Sequence, residues 1–196
     1  DDDKGIKKIQ TIKQEIELLK TSSQQLLKTL SGIARLRINK NEFNLKTELS
    51  FLLEKLQNAN LNQKKIHVQL RYLVQYQNIL ASHFHLLGAI QNLLDNAVKY
   101  GGKEPQITII CYQKRGTLVI QVKDNGPGIP KKEQKHIFNK YYQINTNENP
   151  GAKKGYGLGL TYVRNVVKAH GGNLSLTSTP GNGCTFTIKL RKWKTK

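Results

Sequence analysis

From Ile9 to Arg37 the apolar positions recur in alternating steps of three and four: Ile9, Ile12, Ile16, Leu19, Ser23, Leu26, Leu30, Ile33 and Arg37. Seven of these nine are branched aliphatics, and no proline interrupts them. So narrow a stripe predicts the a/d seam of a coiled coil or helical hairpin, and favours a homodimer through residues 9–37. A long amphipathic helix lying on its own domain is the alternative. Asn39-Lys40-Asn41-Glu42 breaks the stripe and reads as a linker or hinge.

Beyond residue 43 the periodicity changes repeatedly. Leu49, Leu52, Leu53 and Leu56 share one face of a short helix over Leu45–Leu56. Ile66, Val68 and Leu70 alternate with polar neighbours, as in a half-buried strand. Phe84–Tyr100 carries Leu86, Leu87, Ile90, Leu93, Leu94, Ala97 and Val98 at helical spacing, and Gly101-Gly102 ends the pattern. Gln106–Tyr112 and Leu118–Lys123 are β-rich runs on either side of Lys114-Arg115-Gly116-Thr117, which predicts a hairpin. A helix over about Gly157–His170 and strands near Leu174–Thr177 and Cys184–Leu190 complete the order. This succession predicts an α/β (α+β) fold: a two-layer sandwich of a mixed, mainly antiparallel sheet packed on helices, preceded by a long coiled-coil helix. The stretch from Gln143 to Gly155 has no apolar period and reads as a long loop, of the kind that serves as a functional lid or is disordered. The organisation is thus a segment 1–5 resembling a tag remnant, a dimerisation helix and linker 6–42, a domain 43–191 and a basic tail 192–196.

The chain has 196 residues, 37% hydrophobic and 23% charged, which suits one ordinary domain plus an appendage. No apolar run is long enough to span a bilayer, and residues 1–20 show no secretory leader. Cys111 and Cys184 are too few for a disulfide framework or a zinc site. A soluble protein of a reducing, cytoplasmic compartment is expected; any membrane anchor of a parent protein would lie in segments outside this sequence. The net charge of +19 points to a polyanionic partner or to a lysine-rich solvated surface. The lysines are scattered, with one dense run at Lys189–Lys196, so a nucleic-acid partner is not expected.

Four short motifs carry candidate chemistry. Asn92, Asn96 and Lys99 project from one face of the Phe84–Tyr100 helix; amide oxygens suit a hard cation or its water, and lysine suits phosphate. Asp124-Asn125-Gly126-Pro127-Gly128-Ile129 follows a strand, so a fixed carboxylate meets a turn that a ligand can approach closely. Gly155-Tyr156-Gly157-Leu158-Gly159-Leu160 opens a helix, where backbone N–H groups form an anion site, with Lys153 and Lys154 just before it. Gly181-Asn182-Gly183-Cys184-Thr185-Phe186 turns into a strand. Each has a bland reading alone, as a solvated face, a turn, a glycine loop and a hairpin.

Taken together, in this order and spacing, the motifs resemble the catalytic, ATP-binding domain of sensor histidine kinases, within the superfamily that includes gyrase. The resemblance covers about residues 43–190. It implies that Asn96, with Asn92, holds the magnesium that bridges the phosphates of ATP, that Lys99 contacts phosphate, and that Tyr100 lines the site. Asp124 would read the adenine amino group, with Gly126, Gly128 and Ile129 shaping the pocket. Ile137-Phe138-Asn139-Lys140-Tyr141-Tyr142 is similar to the family's aromatic box, an aromatic helix next to a lid, with Phe138 hinging or anchoring the lid and with Phe138 and Tyr142 counted among the residues of the ATP site. Lys153, Lys154, Gly155, Tyr156, Gly157, Leu158, Gly159 and Leu160 would lie under the phosphates, and Thr185 would place a hydroxyl near adenine.

In gyrase-like relatives a glutamate stands four residues before the magnesium asparagine and activates water. Here that position is Asn92, and an amide is no general base. The resemblance therefore implies transfer of the γ-phosphoryl group to a histidine rather than hydrolysis. None of His67, His83, His85, His136 and His170 lies in the family's acceptor context, and His83 and His85 read as structural. The expected activity is that of a protein-histidine kinase fragment, truncated after the acceptor, which does not phosphorylate itself. Its expected partners are the histidine-bearing dimerisation domain and a response regulator. A non-catalytic nucleotide sensor and a hydrolysing ATPase are the alternatives.

Overall fold

The structure, a computed structural model, describes residues 36, 38–58, 64–144, 156–191 and 193. The stripe Ile9–Ile33 and most of the Gln143–Gly155 loop lie outside them. The element order is β1 (Asn41–Asn44), α1 (Leu45–Asn58), β2 (His67–Leu73), β3 (Asn78–Ala81), α2 (His83–Tyr100), β4 (Gln106–Lys114), β5 (Thr117–Asp124), α3 (Gly159–Ala169), β6 (Asn173–Ser178) and β7 (Cys184–Leu190).

Five strands form one sheet in the order β2-β4-β5-β7-β6. β2 and β4 run parallel, because the chain crosses between them through β3 and α2; the other pairs are antiparallel. The β4–β5 hairpin closes on Arg115 and Gly116, which both have positive φ (49° and 73°), while Lys114 pairs with Thr117. Two left-handed residues give the turn whose twist matches the strands. One face of the sheet is apolar: Ile107, Ile109 and Cys111 on β4, Leu118, Ile120 and Val122 on β5, and Phe186, Ile188 and Leu190 on β7 are all buried. The same core takes Leu86, Ile90, Leu93 and Leu94 of α2 and Val163, Val166 and Val167 of α3. Both helices therefore have the single apolar stripe that their sequence spacing predicts. The two-layer sandwich with a mixed, mainly antiparallel sheet is the fold present.

Three features differ from the sequence reading. Asn41 and Glu42, read as linker, belong to β1, which pairs antiparallel with β3 from Asn41↔Ala81 to Asn44↔Asn78. Asn and Glu are poor strand formers, so this pair exists through its tertiary contacts rather than its propensity. Asn44 then caps α1, its Oδ1 accepting the Thr47 N–H at 3.0 Å. Trp193, read as part of a basic tail, is 1% exposed. Its Nε1 donates to Gly116 O at 2.9 Å, and its carbonyl accepts the Leu80 N–H at 2.7 Å. Finally, α3 begins at Gly159, not Gly157, because Gly157 has a φ of 67°.

The turn-in to α2 is held from the far end of α3. Ser82 precedes α2 without a side-chain cap, and its own N–H donates to His170 Nε2 at 2.9 Å. His83 sits beside Glu48 (Nε2 to Oε1, 3.2 Å), and His85 Nδ1 lies 3.0 Å from the Tyr162 hydroxyl. Both histidines thus contact side chains of the fold.

Candidate functional site

Asp124 ends β5 on the core-facing side of the strand and is only 9% exposed. Its Oδ1 accepts two backbone N–H groups, from Gly126 at 2.9 Å and from Cys184 at 3.1 Å. Oδ2 makes no hydrogen bond to a described residue. Burial pushes the carboxyl above its ordinary range, and the two N–H bonds pull it back only in part. The result is a fixed carboxylate with one oxygen spent and one acceptor to spare.

The loop after Asp124 is fastened to the β6–β7 turn. Gly181 N–H donates to Pro127 O at 2.7 Å, and Ile129 N–H donates to Ser178 Oγ at 2.9 Å. Gln134 Nε2 donates to both Ile129 O (2.8 Å) and Ser178 O (3.0 Å). Backbones approach so closely that a Cβ on Gly128 would stand 2.1 Å from Thr179 O, and one on Gly183 2.0 Å from Asp124 O. These glycines are required by contact as well as by conformation. Asn125 faces away and buttresses β4, accepting the Gln106 N–H and donating to Glu104 O.

Helix α2 brings its C-terminal end to the same loop: a Cβ on Gly126 would lie 3.4 Å from Tyr100 O. Lys64 caps this end, its ammonium donating to Val98 O at 2.6 Å and reaching Lys99 O at 3.4 Å. A cation at a helix C-terminus is favourable. Lys99 and Tyr100 are exposed, with Lys99 Nζ 5.1 Å from the Tyr100 ring centre. Asn96 is half-buried, and its amide takes no partner among the described residues. Asn92 does not lie on a solvated face, the bland reading of this motif: it is buried, and its Nδ2 donates to Gly88 O at 2.6 Å. Its Oδ1 faces Gly159, the first residue of α3. The Asn92–Asn96–Lys99 stripe therefore runs from a helix–helix contact to open surface.

Residues 131–141 fold as successive turns rather than the expected aromatic helix. Their carbonyls are bonded mostly three residues on, as in Glu133 N–H to Pro130 O and Asn139 N–H to His136 O. Ile137 is buried in the core and Phe138 packs against it. Phe138 packs edge-on to Phe186 with ring centres 6.4 Å apart, and its carbonyl accepts the Thr161 hydroxyl of α3. Tyr142 donates its hydroxyl to the Glu133 carboxylate. Tyr141 N–H donates to Gly157 O at 3.0 Å, so the two ends of the long loop meet. Tyr156 is exposed, Leu158 is buried, Leu160 packs on the core, and Ile129 does likewise beside Asp124. Lys153, Lys154 and Gly155 lie outside the described residues.

Thr185 is not brought to Asp124. It pairs with Lys123, one residue off Asp124, so alternation turns its side chain to the opposite face of the sheet. The residue beside Asp124 is Cys184, which bonds it through the backbone. Lys64 and Ser178 are further residues at the site that sequence reasoning missed; Gln134 fastens the loop to Ser178 through backbone carbonyls without touching Asp124. Among the described residues, no three His, Cys, Asp or Glu side chains group as a metal site.

Comparison with known proteins agrees with this geometry. Residues 82–194 match the family described as histidine kinase-, DNA gyrase B-, and HSP90-like ATPases. The sensor protein RprX of Bacteroides fragilis is 38% identical over 116 residues, which are 57% of this chain and 22% of that protein. The matched part of the chain corresponds to between 18% and 49% of the length of curated relatives such as these. Solved histidine kinase structures share the fold. Full-length ShkA in complex with AMPPNP has a TM-score of 0.73 at 22% identity, covering 94% of this chain and 39% of that one. Histidine kinase ThkA in complex with response regulator protein TrrA has a TM-score of 0.67 at 21% identity, covering 92% and 49%. The family match extends over more than half of the sequence and takes in Asn96, Asp124, Gly159 and Cys184; the chain belongs to the histidine kinase-, DNA gyrase B- and HSP90-like ATPases.

Proposed function

We propose that this chain is the ATP-binding catalytic part of a sensor histidine kinase in two-component signalling. It binds ATP with magnesium and hands the γ-phosphoryl group to a histidine on a dimerisation domain. The observation that carries the reading is Asp124, a buried carboxylate with Oδ1 saturated by two N–H groups and Oδ2 left to accept an amino group. Adenine offers such a donor. The Gly126 loop packs on the C-terminal end of α2, next to Lys99, and α3 starts with its N–H groups at Gly159, against Asn92. Helix N-termini and lysine both suit phosphate.

The residues fit magnesium as amide ligands: Asn96 has an uncommitted amide, and Asn92 has its nitrogen spent and its oxygen free of hydrogen bonds to the described residues. The ion, when bound, neutralises phosphate charge. Asn92 cannot take a proton from water, which supports transfer over hydrolysis. Catalysis then rests on positioning and electrostatics. The partners are a histidine-bearing dimerisation domain and a response regulator, the latter supported by the ThkA–TrrA complex. Dimerisation through residues 9–37 belongs to the same proposal.

The first test is a melting curve with and without Mg-ATP for wild type and Asp124→Ala. At about 100 times the dissociation constant, binding stabilises by roughly 2.7 kcal/mol. A shift that needs magnesium and is lost in Asp124→Ala supports the site, and labelled phosphate appearing on an added histidine domain supports the kinase. No shift at millimolar Mg-ATP would sink the reading.

A further inference from the structure

We propose that Ser178 is a positioning residue for Asp124, acting through the Gly183–Cys184 peptide to fix the carboxylate that reads the nucleotide base; the base-reading part rests on the function proposed above. Ser178 closes β6 directly opposite Cys184, which opens β7. Its Oγ lies 2.8 Å from Gly183 O. A carbonyl only accepts, so the single hydroxyl proton points there. The Gly183 carbonyl and the Cys184 N–H belong to one peptide plane, and that N–H donates to Asp124 Oδ1. One hydroxyl thus sets the tilt of the peptide that holds the carboxylate.

The remaining capacity of Ser178 Oγ is also used. It accepts Ile129 N–H at 2.9 Å, and Cys184 Sγ stands 3.4 Å away, placed to give its weak S–H. The chain from Ile129 N–H through Ser178 O–H and the Gly183–Cys184 peptide to Asp124 closes a ring on the loop 124–129. Hydrogen bonds in series polarise one another, so the last donor is strengthened by the first. Besides Asp124 itself, the Cys184 thiol is the titratable side chain in this ring, and it stays neutral because burial pushes it upward. Gln134 clamps the same two strands of chain but only through carbonyls outside the relay, at Ile129 and Ser178. It is the natural control.

The test is a carboxyl-carbon NMR titration of Asp124 in the free protein, alongside binding of Mg-ATP and of adenosine. In Ser178→Ala the Cys184 N–H loses its polarising partner, so the Asp124 midpoint moves upward. Affinity for Mg-ATP and for adenosine falls by the same factor, roughly 5- to 30-fold for one or two kcal/mol. Ser178→Thr keeps the hydroxyl and restores both readouts. Gln134→Ala lowers the melting temperature without moving the titration, which a merely structural role for Ser178 would also predict of Ser178→Ala. Ser178→Cys, kept reduced, fills the same space with a weak donor and moves the titration the same way by less, which covers the case of an unfolded alanine variant. An Asp124 midpoint equal to wild type in the folded Ala or Cys variant overturns the relay. The titration needs no nucleotide, so failure of wild type to bind Mg-ATP counts against the proposed function and not against the relay.

Discussion

The side-chain amide of Asn92 stands against the first residue of α3: its Oδ1 is 3.1 Å from where a Cβ on Gly159 would lie, while its Nδ2 holds Gly88 O. A helix that supplies amides and a helix that supplies N–H groups therefore meet at one point, and Gly159 leaves the room for it. Gly159→Ala would push the Asn92 oxygen by a few tenths of an ångström without crowding any backbone. Alanine also favours helix over glycine by up to about 1 kcal/mol. Stability should stay within about 1 kcal/mol of wild type. Mg-ATP affinity should fall several-fold, while adenosine affinity, which does not use Asn92, holds. Calorimetric titration with both ligands checks this; equal losses for both would place Asn92 in folding alone.

Two glycines in one turn separate conformation from contact. At Gly181 (φ 81°) an added methyl would find nothing within 4 Å, whereas at Gly183 (φ 70°) a Cβ would meet Asp124 O at 2.0 Å. Both substitutions to alanine carry the left-handed backbone cost of about 1–2 kcal/mol. Only Gly183→Ala must also displace Asp124, so it should cost at least twice as much and abolish the magnesium-ATP melting shift. Gly181→Ala should keep that shift. Urea denaturation of the pair gives the comparison, and equal costs would show that the contact at Gly183 relaxes freely.

How far the sequence speaks depends on where each interaction is encoded. Helix α2 is legible because seven apolar residues keep one spacing and Gly101 follows, and the β4–β5 hairpin because Arg115-Gly116 separates two β-rich runs. β1 and β3 are not, since Asn41, Glu42, Asn44 and Asn78 oppose strand formation and only the pairing with each other makes them strands. Asp124 and the glycines are legible as motifs. The choice between Cys184 and Thr185 is also written in the chain: Cys184, Phe186, Ile188 and Leu190 form the buried alternation, which turns Thr185 away. The resemblance points to the hydroxyl, and the period of two corrects it. Lys64 and Ser178 leave no such trace, because they act on backbone atoms 34 and 5 residues away, and a carbonyl has no residue type.

His170 makes stability depend on pH. Its Nδ1 lies 2.8 Å from Val166 O and its Nε2 accepts the Ser82 N–H, so the neutral ring with the proton on Nδ1 fits both partners. Protonation would set a donor against a donor. Burial, first, and the nearby Lys40 and His85 charges hold its pKa below the ordinary 6.5, against the opposing pull of the Val166 bond. The unfolded chain then binds the proton more readily, so this contribution is complete above about pH 6.5 and is lost as pH falls toward the lowered folded value. His85, lowered by burial, adds in the same direction. Each site can contribute a slope of at most about 1.4 kcal/mol per pH unit. Urea midpoints should fall as the pH is lowered from about 7.5 to about 6, and His170→Gln, which retains an acceptor for Ser82, should flatten the trend. A rise in stability over that interval would contradict the neutral latch.

The C-terminal residues should matter more to folding than a charged tail would. Trp193 ties three separate parts together: its indole holds the β4–β5 turn at Gly116, its carbonyl holds β3 at Leu80, and its ring lies edge-on to Tyr76 at 6.2 Å. Removing a buried indole costs about 3–5 kcal/mol through lost transfer energy and the cavity left behind. Trp193→Phe keeps most of the packing and forfeits the Gly116 bond, at about 1 kcal/mol. Truncation after Arg191 should therefore resemble Trp193→Ala, whereas truncation after Trp193 should resemble wild type. Circular dichroism followed through urea denaturation distinguishes them. If the chain ending at Arg191 is as stable as the full one, Trp193 contributes nothing to the domain and the sequence reading of a detached tail stands. If the loss is as large as expected, a single residue close to the C-terminus closes the β1–β3 side of the domain, and the basic residues around it serve only as its flanks.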